Sequence, residues 1–233
     1  MTVQPRCFAL LPCAGSGLRA GAGVPKQYRP VAGVPMVRHT LAAFAAVARI
    51  ARVLVVLAPG DGALDVADAA VSIAHCGGAT RAESVFNGLN ALLAQGAAGY
   101  DWVLVHDAAR CLVTQALIDA LIDACLPDAV GGLLALPLAD TLKQADGGGR
   151  AVATIDRAGK WLAQTPQMFR LGLLRDALAA RAASGFAGIT DEASAVEAAG
   201  YQPLLVRGSA HNLKVTYPED FALAEAVLRS RHA

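Results

Sequence analysis

A glycine-rich segment near the N-terminus contains the first residues whose types and spacing could do chemistry. The segment is Pro12-Cys-Ala-Gly-Ser-Gly-Leu-Arg19, and Pro25-Lys-Gln27 follows shortly after it. Glycines let backbone N–H groups approach phosphate oxygens closely, and Arg19 and Lys26 add positive charge. The segment therefore predicts a phosphate-binding loop, although a tight strand-to-helix turn with solvated cations would have the same composition.

This loop matches neither of two common nucleotide-binding signatures. G-x-x-x-x-G-K-[ST] is absent, and Ala20 stands where a G-x-G-x-x-G pattern starting at Gly15 would need its last glycine. A nicotinamide-dependent dehydrogenase, which would show a similar rhythm of strands and helices, is therefore disfavoured.

A second group of charged residues is His106-Asp107-Ala-Ala-Arg110, directly after an apolar run. A carboxylate at the end of a buried strand can bind Mg²⁺, which prefers hard oxygen ligands and often shares its shell with substrate phosphates. Arg110 could pair with a phosphate or with a neighbouring carboxylate. His106 has no nucleophile or metal-ligand spacing beside it, which favours a structural role. Asp107 is therefore the candidate metal ligand.

A third candidate is Lys214, within Asn212-Leu-Lys-Val-Thr216. A lone lysine is usually a solvated surface charge. This one is predicted to lie on a short strand beside the cap of the last helix, and that context makes it a candidate.

Buried strands are needed to present these residues at one edge of a sheet. Short apolar runs without alternation are typical of strands covered on both faces. They predict strands at residues 7–11, 53–57, 102–105 and 132–136, with a weaker one at 71–74.

Helices are predicted between these strands. Apolar residues recur at helical spacing after Pro35, Thr80 and Thr114, and further helices are expected at residues 171–183 and 192–199. Thr80 with Glu83, and Thr216 with Glu219, have capping-box spacing. The alternation predicts an α/β fold with a doubly wound, mostly parallel sheet and helices on both faces.

Residues 137–165 break this rhythm. Gly147-Gly-Gly149 separates residues 140–144 from residues 151–155, which is the pattern of a hairpin with a short loop. A projecting hairpin needs a cover, and a second subunit would supply it. The chain is therefore expected to form one domain over residues 1–233, with residues 137–165 as a dimerisation β-arm.

Composition narrows the class of protein further. The net charge of +1 gives no overall basic field for nucleic acid. The apolar residues 40–58 are interrupted by Arg49 and Arg52, and the N-terminus lacks the pattern of a secretion signal. The five scattered cysteines include no C-x-x-C pair, which favours reduced thiols. We therefore expect a soluble, cytoplasmic protein that binds neither nucleic acid nor membrane.

Taken together, segments along almost the whole chain resemble those of the 2-C-methyl-D-erythritol 4-phosphate cytidylyltransferases of the non-mevalonate isoprenoid pathway, which have a glycosyltransferase-A-like fold. The matching segments are residues 12–19, Pro25-Lys-Gln-Tyr28, Arg81-Ala-Glu-Ser-Val85, Val105-His-Asp-Ala-Ala-Arg110, Asp140-Thr141, Ile155-Asp-Arg157, Gln164-Thr-Pro-Gln167, Thr190-Asp-Glu-Ala-Ser194 and Asn212-Leu-Lys-Val-Thr216.

The resemblance implies transfer of a cytidylyl group from CTP to 2-C-methyl-D-erythritol 4-phosphate, with Mg²⁺ as cofactor and Asp107 as its ligand. It implies Arg19, Lys26 and Lys214 as catalytic cations. The implied nucleotide-binding residues are Pro12, Cys13, Ala14, Gly15, Ser16, Gly17, Gly78, Ala79, Ser84, Asp107, Ala108 and Arg110. The implied residues for methylerythritol phosphate are Thr141, Arg157, Thr165, Thr190 and Asp191. Thr141 and Arg157 would be donated by the second subunit of a homodimer.

The sequence departs from the family pattern at three places. Cys111 stands where proline is usual, and Ala79 stands where an acidic residue is common. The loop at residues 20–24 is rich in glycine and alanine. Two other functions stay open: a cytidylyltransferase for another sugar-alcohol phosphate such as ribitol 5-phosphate, and a nucleotide-binding regulator without catalytic activity.

Overall fold

A computed structural model, which describes residues 4–15 and 24–231, has a seven-stranded sheet at its centre and two small two-stranded sheets. The strands are β1 (Cys7–Pro12), β2 (Pro30–Val31), β3 (Val34–Pro35), β4 (Ile50–Val56), β5 (Val71–Ala74), β6 (Trp102–Val105), β7 (Gly131–Pro137), β8 (Leu142–Ala145), β9 (Ala151–Ile155), β10 (Trp161–Arg170) and β11 (Leu204–Arg207). The helices are α1 (Met36–Ala45), α2 (Arg81–Ala94), α3 (Gln115–Cys125), α4 (Leu171–Ala182), α5 (Glu192–Ala198) and α6 (Pro218–Ser230), with a 3₁₀ turn at Lys26–Tyr28.

The central sheet is mostly parallel, as the sequence predicts. Its strand order is β11-β7-β10-β6-β1-β4-β5. β1 pairs in parallel with β4 and β6, β4 with β5, and β11 with β7. β10 is antiparallel to both of its neighbours, β6 and β7. The sequence patterns predicted neither β10 nor β11.

Alternate residues of the central strands face opposite layers of helices. Leu11 and Val55 belong to a buried cluster that includes residues of α1 and α3. Leu10 and Val56 belong to a second cluster with residues of α2, α4 and α5. Both faces of the central strands are therefore buried, which accounts for their continuous apolar runs. Burial of one leucine or valine side chain stabilises the fold by about 1.5–3 kcal/mol.

Two of the predicted helix starts are confirmed by their caps. The Thr80 side chain accepts a hydrogen bond of 3.1 Å from the Glu83 amide, and the Thr114 side chain accepts one of 3.3 Å from the Leu117 amide. The carboxylate of Glu83 bonds the amide of Ala79 instead of closing a capping box on Thr80. The backbone donors at the start of α2 are therefore satisfied by two different side chains.

The predicted cap of the last helix is wrong by one residue. α6 begins at Pro218 after Tyr217, and Asp220, not Glu219, accepts hydrogen bonds from the amides of Thr216 and Tyr217, at 2.7 and 2.8 Å. α6 then packs through Ala224 and Leu228 on a third cluster of buried residues. This cluster includes Val215, so the packing of α6 fixes the preceding segment against the body of the protein.

The predicted arm, residues 137–165, comprises two structurally different parts. β8 and β9 form a separate antiparallel hairpin, in which Leu142 is opposite Ile155. Residues 161–163 instead pair with β7 in the central sheet, with Trp161 opposite Pro137. The projecting element is therefore shorter than the predicted segment. Within residues 4–15 and 24–231, no helix is long and apolar enough to cross a membrane.

Candidate active site

A cleft of about 520 Å³ opens at the carboxyl ends of β1, β5 and β6. This is the edge at which parallel α/β sheets place their ligands. Its lining combines five stretches of chain, at residues 12–15, 26–27, 78–84, 107–109 and 214. The lining residues are Pro12, Cys13, Ala14, Gly15, Lys26, Gln27, Gly78, Ala79, Thr80, Arg81, Ser84, Asp107, Ala108, Ala109 and Lys214.

Most of the predicted nucleotide-binding residues are therefore brought together in one cleft. Lys26 and Lys214, the two lysines predicted to be catalytic, line it with Asp107. Ser16, Gly17 and Arg19 lie outside the described residues, so their predicted roles stay predictions. Residues 12–15, the Asp107 segment and Lys214, which lie in three different predicted segments, therefore line the same cleft.

Asp107 is bonded by two cations on different oxygens. The Arg81 Nε donates to Oδ1 at 2.7 Å, and the Lys214 Nζ donates to Oδ2 at 2.6 Å. Burial alone would raise the pKa of this carboxyl, but the charges of Arg81 and Lys214 outweigh it and hold the pKa well below its usual range. Asp107 is therefore ionised near neutral pH.

Lys214 lies in an irregular segment, not on the strand that the sequence predicted. The segment is held against the loop after β6 by a hydrogen bond of 2.9 Å from the Val215 amide to the Ala109 carbonyl. The Val215 carbonyl in turn accepts a bond of 2.7 Å from Lys26 Nζ. The two lysines are thus placed by consecutive residues of one tethered segment. No β-ladder is needed to place them.

The opposite wall of the cleft is a tight turn before α2. The Gly78 amide donates to Ser84 Oγ at 3.0 Å, and Ser84 donates to the Thr80 carbonyl at 2.9 Å. A side chain at Gly78 would overlap Glu83, whose carboxylate accepts a bond of 2.7 Å from the Ala79 amide. Backbone and hydroxyl groups are therefore fixed in position along this wall, although Ala79 carries no acidic group itself.

The 3₁₀ turn carrying Lys26 is tied to the first loop. The buried side chain of Gln27 donates from Nε2 to the Cys13 carbonyl at 2.8 Å. On the outer side, the Tyr28 hydroxyl donates to Asp61 Oδ2 at 2.7 Å. These bonds hold Lys26 at the mouth of the cleft.

His106 is fully buried, which supports the structural role inferred for it. The Thr165 hydroxyl lies 3.0 Å from Nδ1 of His106 and accepts a bond of 3.1 Å from the Asp107 amide. On its other side, the Nε2 of His106 bonds the Arg110 carbonyl. Burial lowers the pKa of His106 to about 4, so the ring is neutral near pH 7. Thr165 and His106 together orient the peptide that carries Asp107.

Arg110 does not line the cleft, in contrast to its predicted place in the nucleotide pocket. Its guanidinium donates to the carbonyl of Asn212 at 2.7 Å and to that of Ala163 at 3.3 Å. Burial lowers its pKa. Arg110 therefore ties the Lys214 segment to β10, and its effect on the cleft is indirect.

The predicted acceptor-binding residues fall in three places. Thr165 is buried beside Asp107. Thr190 and Asp191 line a separate depression of about 330 Å³ that is also bordered by Trp161. Thr141 and Arg157 are exposed near the base of the hairpin, where Arg157 bonds the Ala139 carbonyl. The fold of one chain therefore does not bring all five together.

The sequence assigned no role to Arg81, which lines the cleft, or to Glu192, which is bonded to Arg81. Arg81 bridges Asp107 and Glu192, whose carboxylate it also contacts at 2.7 and 3.1 Å. Both residues lie in segments that resemble the family, residues 81–85 and 190–194. The available signal was the cation at the first position of α2, where a positive charge opposes the helix dipole.

The residues present fit a magnesium ion in one specific way. Among residues 4–15 and 24–231, no three His, Cys, Asp or Glu side chains are close enough to form a complete metal site. Mg²⁺ commonly takes one or two protein carboxylates and completes its shell with water and substrate phosphates. Asp107, an ionised carboxylate on the wall of the cleft, could provide one such ligand.

Comparisons with known proteins agree with this architecture. The family model described as 2-C-methyl-D-erythritol 4-phosphate cytidylyltransferase matches residues 7–230. The chain is 64% identical over 230 residues to a "Bifunctional enzyme IspD/IspF" of Albidiferax ferrireducens, covering 97% of the chain and 54% of that relative. It is 54% identical over 230 residues to a 2-C-methyl-D-erythritol 4-phosphate cytidylyltransferase of Burkholderia multivorans, covering 97% of each.

Solved structures show the same fold. A crystal structure of a 4-diphosphocytidyl-2C-methyl-D-erythritol synthase superposes with a TM-score of 0.86 at 42% identity, covering 97% of this chain and 100% of the other. The Francisella tularensis 2-C-methyl-D-erythritol 4-phosphate cytidylyltransferase superposes with a TM-score of 0.83 at 32% identity, covering 95% and 99%. The chain belongs to the 2-C-methyl-D-erythritol 4-phosphate cytidylyltransferase family.

Proposed function

We propose that the chain transfers the cytidylyl group of CTP to 2-C-methyl-D-erythritol 4-phosphate, giving 4-(CDP)-2-C-methyl-D-erythritol and pyrophosphate. The observation that carries the proposal is the cleft in which Lys26, Lys214 and the ionised Asp107 lie together at the sheet edge. Family membership supplies the identity of the nucleotide and of the acceptor.

The reaction is a displacement at the α-phosphorus of CTP. A phosphate oxygen of the acceptor forms a bond to this phosphorus, and the bond to the bridging oxygen of the leaving pyrophosphate breaks. The attacking oxygen is already anionic near neutral pH, so the step needs no general base. This agrees with the site, because His106 is buried and neutral, and burial raises the pKa of the Cys13 thiol to about 12.

The main difficulty is electrostatic. Two unit charges 4 Å apart repel each other by about 4 kcal/mol at an effective dielectric constant near 20, and the two substrates bring several such charges together. Lys214 and Lys26, which bonds the Val215 carbonyl, supply compensating charge, and Arg19 is proposed to add a third cation. Catalysis is then mainly positioning and stabilisation of charge in the transition state.

Mg²⁺ is the proposed cofactor, with Asp107 as its protein ligand. The ion would neutralise phosphate charge when bound. In the structure, the Lys214 ammonium donates a hydrogen bond to Oδ2 of Asp107. We propose that nucleotide binding draws the Lys214 ammonium from this oxygen to the α-phosphate, while Arg81 keeps its bond to Oδ1.

A homodimer is proposed to complete the acceptor site. The hairpin of β8 and β9 is largely exposed, and Val152 in the hairpin and Leu162 just after it are 58% and 53% exposed. Apolar side chains on a projecting element are typical of a surface that a partner covers. In this arrangement Thr141 and Arg157 reach the cleft of the second subunit.

We also propose that the protein acts in the cytoplasm. All five cysteines fall within the described residues and carry free thiols: Cys7, Cys13, Cys76, Cys111 and Cys125. Free thiols are the rule in a reducing compartment, where disulfides rarely persist.

Pyrophosphate release tests the proposed function. The purified chain is incubated with Mg²⁺, each of CTP, UTP, ATP and GTP, and either methylerythritol phosphate or ribitol 5-phosphate. We expect the pair of CTP and methylerythritol phosphate to give the highest rate. A higher rate with ribitol 5-phosphate would contradict the acceptor, and CTP binding without turnover on any acceptor would indicate a regulator.

A further inference from the structure

Arg81 is the one cation among the described cleft-lining residues that the proposed mechanism does not use as a phosphate ligand. It is the first residue of α2, and its side chain is 29% exposed. Its Nε donates to Asp107 at 2.7 Å, and its two terminal nitrogens donate to Glu192 at 2.7 and 3.1 Å. All three nitrogens of the guanidinium are therefore engaged by carboxylates.

The position of Arg81 is not explained by the helix that carries it. A positive charge in the first turn opposes the helix dipole, at a cost of roughly 0.3–1 kcal/mol. Glu192, in contrast, is the first residue of α5, where a negative charge is favourable. Residues that violate a local preference are often located at functional sites, and here the two ion pairs offset the violation.

Glu192 connects Arg81 to the second depression. Its side chain is 2% exposed, and it does not line the cleft. It directly follows Thr190 and Asp191, which line the depression beside Trp161. Asp191 itself caps α5 through the Ser194 amide and accepts a bond of 2.9 Å from Gln167. The Asp107–Arg81–Glu192 chain therefore joins the cleft to the start of α5.

We propose that Arg81 is a positioning residue for the reaction, an inference that rests on the proposed function. It fixes Oδ1 of Asp107, so that Oδ2 faces Lys214 and the nucleotide phosphates. Its terminal nitrogens fix the same guanidinium on Glu192, which sets the start of α5 relative to Asp107. The two substrate sites are thereby held at a constant separation.

The guanidinium geometry is essential to this role. Arginine presents Nε and two terminal nitrogens in one rigid plane, whereas lysine has a single nitrogen on a flexible stem. Lysine at position 81 would keep the charge but could not hold both carboxylates in the observed directions. The charge and the positioning can therefore be separated by one substitution.

The test compares Arg81→Lys, Glu192→Gln and the double variant, with Arg49→Lys as control. Arg49 also contacts two carboxylates, Asp119 and Asp123, but on an exposed surface and outside the cleft lining. Loss of a partner that orients a metal-site ligand typically costs 10–100-fold in activity or affinity, and we expect a fall in kcat of this size for Arg81→Lys. We expect Glu192→Gln to lower kcat in the same direction, and Arg49→Lys to leave it unchanged.

The double variant separates positioning from independent effects. If Glu192 acts through Arg81, the double variant has the kcat of Arg81→Lys alone. Multiplied losses, or full activity of Arg81→Lys, would overturn the proposal. Thermal unfolding of each variant identifies any loss that comes from the fold, and Glu192→Gln provides the second test if Arg81→Lys does not fold.

A binding measurement separates this proposal from the proposed function. Calorimetric titration with CTP and Mg²⁺, without acceptor, should show about 10-fold weaker binding for Arg81→Lys than for the unaltered chain. Equal affinities would overturn the role of Arg81. Absence of pyrophosphate release by the unaltered chain, with this difference in CTP affinity intact, would instead count against the proposed reaction.

Discussion

Replacing Lys214 by alanine separates the contribution of one cation to catalysis from its contribution to the fold. Lys214 Nζ lies 2.6 Å from Asp107 Oδ2, and the lysine side chain is 37% exposed. The backbone around Lys214 is held in place without the lysine side chain, by a hydrogen bond from the Val215 amide to the Ala109 carbonyl. Removing the side chain therefore removes the charge and leaves the segment in place.

The expected magnitudes differ widely for stability and turnover. Asp107 keeps its ion pair with Arg81, so it stays charged and paired. A partly exposed ion pair contributes about 0–1 kcal/mol, which limits the fall in Tm to roughly 2–4 °C for a chain of this size. Loss of one preorganised donor to developing charge costs about 2.7–4 kcal/mol in the transition state, or 10²–10³-fold in kcat.

A continuous assay of pyrophosphate release at saturating CTP and acceptor measures kcat for Lys214→Ala. Arg229→Ala is the matched control, because it removes a cation from an exposed ion pair with Glu225 on α6. We expect the control to retain full activity. A kcat within threefold of the unaltered chain for Lys214→Ala would refute the assigned role, and a large fall in Tm would show that the charge is structural.

Three further predictions concern the proposed dimer, the metal and pH. Lys26→Ala and Arg157→Ala should each be inactive. Random pairing of the two variant subunits should restore roughly a quarter of the activity, because half of the dimers are mixed and one of their two sites is intact. No recovery despite confirmed subunit exchange would exclude a shared site. Asp107→Asn should raise the Mg²⁺ concentration for half-maximal activity by at least about 10-fold, because losing a metal ligand costs at least as much as losing the residue that orients it. An unchanged Mg²⁺ concentration for half-maximal activity would exclude Asp107 as the ligand. Burial lowers the pKa of His106 from 6.5 to about 4, so the unfolded chain binds more protons between these pH values and stability falls as pH falls through this window. The loss should approach about 3 kcal/mol in urea unfolding of the metal-free chain, and His106→Gln should flatten it.

The sequence predicted strands and caps well where the signal is local. The strand at Trp102–Val105 and the caps at Thr80 and Thr114 follow from short apolar runs and hydroxyl residues at fixed offsets. These patterns depend only on the few residues that form each element. They were therefore recognisable without the tertiary structure.

β10 was not predicted because its buried polar groups form hydrogen bonds with residues that are distant in the sequence. It is a central strand, yet it buries Gln164, Thr165 and Gln167. Gln164 Nε2 donates to the Ser209 carbonyl, and Asn212 Nδ2 donates to the Thr165 carbonyl. Partners more than 40 residues away make these polar groups compatible with burial, and no local pattern reports them.

The candidate site was predictable in residue type but not in geometry. Asp107 and Lys214 were identified from their segments, whereas their ion pair depends on contact across 107 positions of the chain. The cation predicted to support the nucleotide pocket, Arg110, bonds backbone carbonyls outside the cleft lining. Arg81, not Arg110, bonds the Asp107 carboxylate. Only the fold shows which of the two arginines lies beside Asp107.

The order of strands in the sheet has a consequence for synthesis on the ribosome. β1, β4, β5 and β6 adjoin one another and come from the first 105 residues, whereas β10, which covers the edge of β6, ends at Arg170. Chains fold from the N-terminus as they emerge, and uncovered strand edges invite aggregation. We expect a nascent half-sheet with an open edge at β6 until the arm and β10 have emerged. Lys214 follows later still, so the nascent chain completes its sheet before its cleft.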